Sequence, residues 1–396
     1  MKKLFKRVIT GVLSLMMTSV TVLGNTKAPI KTSQNDTGIY TVVGDVSTVP
    51  EILAESAIIV DMKTGYTLME KNVYDKHYPA SITKVMTAIL TLELVALDET
   101  VTFSHDAVFS IESGSSAAYV DEGEQLSVEQ CLYGLMLISG NDLANGLAEH
   151  VGGSMENFAV MMTNKAKELG CLNTNFTNAH GLHDENHYTC AFDMAIMAKY
   201  AYENLEMFRT LCSTTYYECS PTNKQPEIRY WRNTNKLIGP GYRQYYEDCL
   251  GGKTGYTNQA GGTLVTYAKI NGRVLLGVFM KSSNSAGAYA DTTAWYEYIR
   301  SNVTEDMYKA IDDKYELENN PPTEAITEHS TDEKKTVAEV PVHSEKTDEK
   351  ESGGFWFGRI IIIVLVLAFA GYYAHVRYIR YTNEKRRLER RRRRLE

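Results

Sequence analysis

The sequence predicts an α+β fold: an antiparallel sheet formed by strands from both ends of one domain, with a helical portion between them. Three observations carry this. Two strand-like runs, 57–62 and 66–71, flank Lys63-Thr64-Gly65 near the start, which reads as a hairpin turn. A second pair, 264–270 and 273–280, flanks Asn271-Gly272, a strong two-residue hairpin signal. Between the pairs, capped apolar segments have helical rather than alternating period.

The elements follow in order. Residues 29–50 are polar and read as irregular, and the domain is bounded as 51–303. The run 85–97 is apolar almost all round, which predicts a buried central helix with Ser81 at its N-terminus. Ser127 and Gln130 form a capping-box pattern that opens a helix running to Leu137. Ser139-Gly140-Asn141 then falls in a break before a helix that ends at Gly152-Gly153. Ser154 caps a third helix, which stops at Gly170. Residues 190–204 read as helical, and a helix over 288–302 closes the domain after the second strand pair. Residues 304–354, rich in Glu, Lys, Thr and Pro, read as a disordered acidic linker, too polar to bury a core.

Chemistry concentrates in three short motifs. Ser81-Ile82-Thr83-Lys84 is the only Ser-x-x-Lys in the chain. A serine hydroxyl needs a base, and a lysine three residues on lies on the same helical face. Burial or a neighbouring cation can lower the lysine's pKa enough to serve. Ser-x-Asn occurs three times and Lys-Thr-Gly twice, yet only the set at 81, 139 and 253 runs in the order Ser-x-x-Lys, Ser-x-Asn, Lys-Thr-Gly.

That ordered set resembles the penicillin-binding protein and serine β-lactamase superfamily. Within it, the chain resembles the low-molecular-mass D-alanyl-D-alanine carboxypeptidases, peptidase family S11. The matching stretches are Tyr78 to Lys84, Leu137 to Asp142 and Gly252 to Thr257, joined by Ala179-His180-Gly181-Leu182 and Asn233-Thr234-Asn235-Lys236-Leu237. The resemblance implies a β-lactamase/transpeptidase-like fold and an acyl-enzyme route that removes the terminal D-alanine of peptidoglycan stem pentapeptides. In that route Ser81 is the nucleophile, Lys84 the general base, Ser139 a proton relay, and Asn141 a partner for Lys84 or a substrate carbonyl. Lys253 and Thr254 are expected to hold the substrate carboxylate at the site's edge. Gly255, lacking a Cβ, lets the substrate backbone lie close, and the N–H groups of Ser81 and Tyr256 form the oxyanion hole. β-Lactams are the expected acylating mimics. A serine β-lactamase and a penicillin-recognising membrane sensor are the alternatives. The first is weakened because no Glu-x-x-Leu-Asn follows Ser139.

The termini bear on location. Residues 1–28 read as a signal peptide, with Lys2, Lys3, Lys6 and Arg7 ahead of an apolar run. Residues 355–374 are long and apolar enough to cross a bilayer. Residues 375–396 carry ten Lys or Arg against three Glu, which predicts a cytoplasmic tail beneath an outward-facing catalytic domain in the cell membrane. The net charge of −8, despite that tail, argues against nucleic acid as a partner. No metal-ligand spacing appears, and the implied chemistry needs no cofactor. The six cysteines allow either disulfides or small buried hydrophobes, and nothing in the sequence sets an oligomeric state.

Overall fold

The computed structural model describes residues 39–41 and 48–320. Six strands form one sheet in the order β1-β3-β2-β10-β9-β8: β1 (Ile39–Thr41), β2 (Ser56–Asp61), β3 (Thr67–Lys71), β8 (Cys249–Thr257), β9 (Gly261–Ile270) and β10 (Arg273–Ser282). Every pairing in it is antiparallel. Strands from both ends of the domain meet where β10 pairs with β2, Gly277 opposite Ile59. Both predicted hairpins are therefore present, and Asn271 and Gly272 turn with positive φ between β9 and β10.

Both faces of the sheet are covered. Ile58, Val60, Val265, Leu276 and Val278 face a helical core, whereas Ala57, Ile59, Ala268, Leu275 and Phe279 face the other way. All six residues of β2 are buried, and its central run Ala57–Val60 is continuously apolar rather than alternating. The central helix is α1 (Lys84–Leu94), preceded by a 3-10 turn, Ala80–Thr83. Ser81 therefore stands in the tighter turn ahead of the α-helix. Around α1 lie α3 (Val128–Leu137), with both halves of the predicted capping box formed, α4 (Asn141–Gly152), α5 (Met155–Glu168) and α6 (Ala191–Asn204). Smaller elements that the sequence left unassigned complete this half: β4 (Thr100–Thr102), α2 (His105–Phe109), β5 (Gln125–Ser127), α7 (Glu206–Ser213), β6 (Tyr216–Cys219) and β7 (Arg229–Arg232).

On the opposite face α8 (Ser285–Asn302) lies over β9 and β10. It begins three residues before the predicted 288 because the Asn284 side chain caps it, accepting from Gly287 N.

Two boundaries need correction. The linker predicted to start at 304 begins with a helix, α9 (Glu305–Asn319). Thr304 caps it and Glu305 and Asp306 occupy its first turn, where carboxylates suit the helix N-terminus. Tyr308 and Ile311 are buried against the second core, and Asp312 pairs with Arg273 at 2.7 Å. The composition is polar, but one apolar stripe suffices to dock the helix. Likewise the segment 29–50, read as irregular, contributes β1, with Tyr40 opposite Glu70. All six cysteines are free thiols, five of them buried, which is the small-hydrophobe reading. Among the described residues no helix is long and apolar enough to cross a membrane. The segments 1–28, 355–374 and 375–396 lie outside the described residues.

Candidate active site

Ser81 and Lys84 meet because a 3-10 turn runs directly into α1. Lys84 Nζ lies 3.1 Å from Ser81 Oγ, 2.7 Å from Asn141 Oδ1 and 2.7 Å from the His180 carbonyl. Lys84 is fully buried. Burial, and then the like charge of Lys253, hold its pKa well below the ordinary lysine value, against a smaller opposing pull from Asp142.

Counting donors fixes what this arrangement can do. A lysine ammonium has three N–H donors, and three acceptors surround this one. The neutral amine keeps two donors and gains a lone pair. The Asn141 amide oxygen and the His180 carbonyl can only accept. The Ser81 hydroxyl is the one partner of the three able to donate. Neutral Lys84 therefore receives the Ser81 O–H, the geometry of a nucleophile with its general base.

The break between α3 and α4 delivers Ser139 and Asn141. Ser139 has φ +62°, a strained conformation for a side-chain-bearing residue, and faces the same cleft as Ser81. The neighbouring Asp142 is buried and accepts from Ala118 N and Val120 N, which holds the segment carrying Ser115 and Ser116 as the facing wall.

Two placements differ from the sequence reading. Lys253 does not stand at the rim: it is 1% exposed, beneath the cleft floor. Its Nζ donates to Ser139 Oγ at 3.1 Å and to the Thr254 carbonyl at 2.9 Å, and burial pushes its pKa down to about 7. Ser139 is consequently tied to Lys253 and not to Lys84. The cause is the alternation of β8. Lys253 and Thr254 point to opposite sides of the strand, and Thr254 is the one that faces the cleft, its hydroxyl 2.9 Å from that of Thr234.

β8 is the edge of the sheet, so its outer rim is open to an extended peptide. A Cβ on Gly255 would sit 2.4 Å from Thr263 Oγ1 and 2.8 Å from Ser81 N. Glycine is thus required for β8 to approach the nucleophile's turn, as well as for substrate access. Thr263 Oγ1 also donates to the Pro79 carbonyl at 2.8 Å, which ties β9 to that turn. Tyr256 is half-exposed on the cleft wall. The whole cleft encloses about 640 Å³, and Asp and Glu are absent from its lining among the described residues.

Sequence reasoning noted Ala179-His180-Gly181-Leu182 but gave it no role. In the fold this loop supplies the carbonyl that holds Lys84. Behind it His187 Nε2 meets Thr83 Oγ1 at 2.8 Å, and its Nδ1 accepts from Thr177 N at 3.1 Å. Burial drives the His187 pKa down to about 3, so the ring stays neutral. Asn233-Thr234-Asn235-Lys236-Leu237 was likewise noted without a role, and Arg232 was missed; Arg232, Thr234 and Lys236 form a wall of the cleft, for which the alternation of that stretch was available as a signal.

Comparison with known proteins agrees with this geometry. Residues 44–284 match the peptidase S11 family, described as D-alanyl-D-alanine carboxypeptidase. The chain is 36% identical over 264 residues to the D-alanyl-D-alanine carboxypeptidase DacF of Bacillus subtilis, covering 65% of this chain and 64% of that protein. It is 32% identical over 239 residues to DacA of Haemophilus influenzae, covering 58% and 57% respectively. The match thus spans less than two thirds of either relative. The crystal structure of the Streptomyces K15 DD-transpeptidase superimposes with a TM-score of 0.58 at 30% identity, covering 63% of this chain and 98% of that one.

Proposed function

The chain belongs to the D-alanyl-D-alanine carboxypeptidase family, peptidase S11, and from that premise we propose that it removes the terminal D-alanine from peptidoglycan stem pentapeptides through an acyl-enzyme on Ser81. The observation that carries the reading is the convergence of Ser81, Lys84 and Asn141 at 2.7 to 3.1 Å, in one cleft with Ser139 and Thr254.

Neutral Lys84 takes the Ser81 proton as Oγ bonds to the carbonyl carbon of the penultimate residue. The backbone N–H groups of Ser81 and Tyr256 stabilise the resulting oxyanion. The C–N bond then breaks, and the Lys84 proton reaches the leaving amine by way of the Ser139 hydroxyl, which must turn from Lys253 towards the cleft to carry it. Water repeats the sequence in reverse and frees Ser81. Asn141 holds the Lys84 ammonium between the steps. Lys253 acts from below by fixing Ser139, while Thr254, Gly255 and Tyr256 line the edge along which the substrate lies. A carboxylate to activate water, as a class A β-lactamase employs, is missing from the described cleft lining, which supports peptide over β-lactam as the substrate turned over.

Incubating the purified chain with a pentapeptide ending in D-Ala-D-Ala should release one equivalent of D-alanine per peptide. Rapid turnover of penicillin without release of D-alanine would overturn the reading.

The enzyme works at the outer face of the cell membrane. The support lies in sequence: the signal-like 1–28, the apolar 355–374 and the basic 375–396. Protease added to intact cells should release the catalytic domain and spare an epitope placed after Glu396. An epitope accessible from outside would refute this topology.

A further inference from the structure

The cation expected to meet the substrate's terminal carboxylate, Lys253, is buried, with two of its three donors directed at Ser139 and at its own strand. A carboxylate arriving at Thr254 meets something else. The Thr234 hydroxyl is 2.9 Å from that of Thr254, so one donates to the other and the pair keeps one O–H for a ligand in the cleft. Thr234 lies two residues beyond the end of β7, and its neighbours at two residues on either side are Arg232 and Lys236. All three line the cleft and are exposed.

The intervening residues fix this alternation. Asn233 and Asn235 are buried, and their side-chain oxygens accept from the N–H two residues on, Asn235 N at 2.8 Å and Leu237 N at 3.1 Å. Asn233 Nδ2 also donates to the Thr214 carbonyl at 2.8 Å, and Thr234 N to the Leu137 carbonyl at 2.9 Å. The stretch is therefore fastened from behind, leaving its outward side chains to the cleft. Arg232 carries its guanidinium 5.6 Å from the Tyr216 ring centre, and Lys236 its ammonium 5.8 Å from that of Tyr242. These two are the cations of the described lining, and acidic residues are absent from it. A cleft with one sign of charge concentrates the opposite sign in its ligand.

We infer that Arg232 and Lys236, flanking the Thr234–Thr254 hydroxyl pair, supply the positive charge that selects substrates ending in a free carboxylate. The inference rests on the carboxypeptidase reading and names that site's specificity determinants.

The test compares kcat/KM of the full chain for an acyl-D-Ala-D-Ala peptide with that for the same peptide carrying a C-terminal amide. Wild type should prefer the acid. Arg232→Gln and Lys236→Gln should each lower the acid-to-amide ratio by about tenfold, the size of a lost charge-assisted hydrogen bond, and the double variant by more. Arg232→Lys should retain part of the preference. Raising the salt concentration should erode the ratio in wild type and leave the double variant flat. Equal losses for acid and amide, or an unchanged ratio in the double variant, would overturn the inference while the carboxypeptidase reading stands. A wild-type chain that turns over neither peptide would overturn that reading, and this inference with it.

Discussion

Adding one methyl group at Gly181 should cost this protein most of its acylation rate. Gly181 has φ +89°, and a Cβ there would lie 1.9 Å from the Ala80 carbonyl oxygen, 2.5 Å from the Ala80 carbonyl carbon and 2.8 Å from Thr83 Oγ1. The first two are backbone atoms of the turn that carries Ser81, so no side chain can swing aside. The left-handed conformation costs an alanine roughly 1–2 kcal/mol, and overpacking adds about 1–3 kcal/mol. At roughly 2–4 °C per kcal/mol for a domain of this size, the melting temperature should fall by about 4–20 °C. Relief requires either the Ser81 turn or the 178–182 loop to move. That loop also provides the His180 carbonyl on Lys84. A displacement of about 1 Å at a reacting pair is worth on the order of a hundredfold in rate. Gly153→Ala is the control: its φ is +77°, but nothing lies within 4 Å of the added carbon. It should lose only the conformational part, a few degrees, with acylation unchanged. The assay is the rate of covalent labelling by a fluorescent penicillin, read beside thermal denaturation of both variants. Labelling of folded Gly181→Ala at the wild-type rate would refute the argument that the turn has no room to yield.

Other expectations follow from the same geometry. Ser81→Ala should abolish labelling by penicillin with little change in melting temperature, because Ser81 lies at the cleft surface; persistent labelling of the folded variant would displace Ser81 as nucleophile. The acylation rate should rise with pH through the depressed pKa of Lys84, since only the neutral amine is a base, and Lys253→Met should move that limb to higher pH by removing the like charge that lowers it. A pH profile whose acid limb is the same in both proteins would separate the two lysines electrostatically. His187 has a folded pKa lowered to about 3, so its contribution to stability is present above pH 6.5 and drains away as the pH falls towards 3, by an amount on the order of a few kcal/mol. His187→Gln should flatten the fall in melting temperature between pH 7 and pH 4, and a slope equal to wild type would contradict the assignment.

Much of this was legible in the sequence because the decisive signals are local. The Asn271-Gly272 turn, the Ser127 capping box and the Gly152-Gly153 stop each fix a boundary with residues a few positions apart. Ser81 and Lys84 likewise lie within one helical turn. The illegible parts depend on what arrives from elsewhere in the chain. Lys253 reads as a rim cation until α7 and the 137–141 break close over it. The role of Gly255 changes once the Ser81 turn is seen to occupy the space of its missing side chain. Residues 305–319 read as linker because their average composition is polar, and only Tyr308 and Ile311, spaced at helical period, say otherwise. The Asn233–Leu237 stretch carried an alternation whose meaning depended on knowing that a cleft lay on one side.

The two buried lysines explain why so many neutral acceptors surround Lys84. Burial favours the neutral amine, ready to take a proton, but the same burial disfavours the ammonium that forms once it has done so. A carboxylate partner would relieve the second difficulty and recreate the first, because it would raise the pKa and hold the proton in the resting state. The Asn141 oxygen and the His180 carbonyl avoid this. They are dipoles that satisfy two ammonium hydrogens, and both are already aimed at Nζ before the proton moves, so little reorganisation is needed. The third donor of the ammonium is directed at the Ser81 oxygen, from which the proton came. Lys253, whenever it carries its own charge, repels one on Lys84 and thereby sharpens the resting preference for the neutral amine. The resting site therefore disfavours a charge on both lysines at once, and acylation places one on Lys84, carried by the proton of Ser81, as the oxyanion appears next to it.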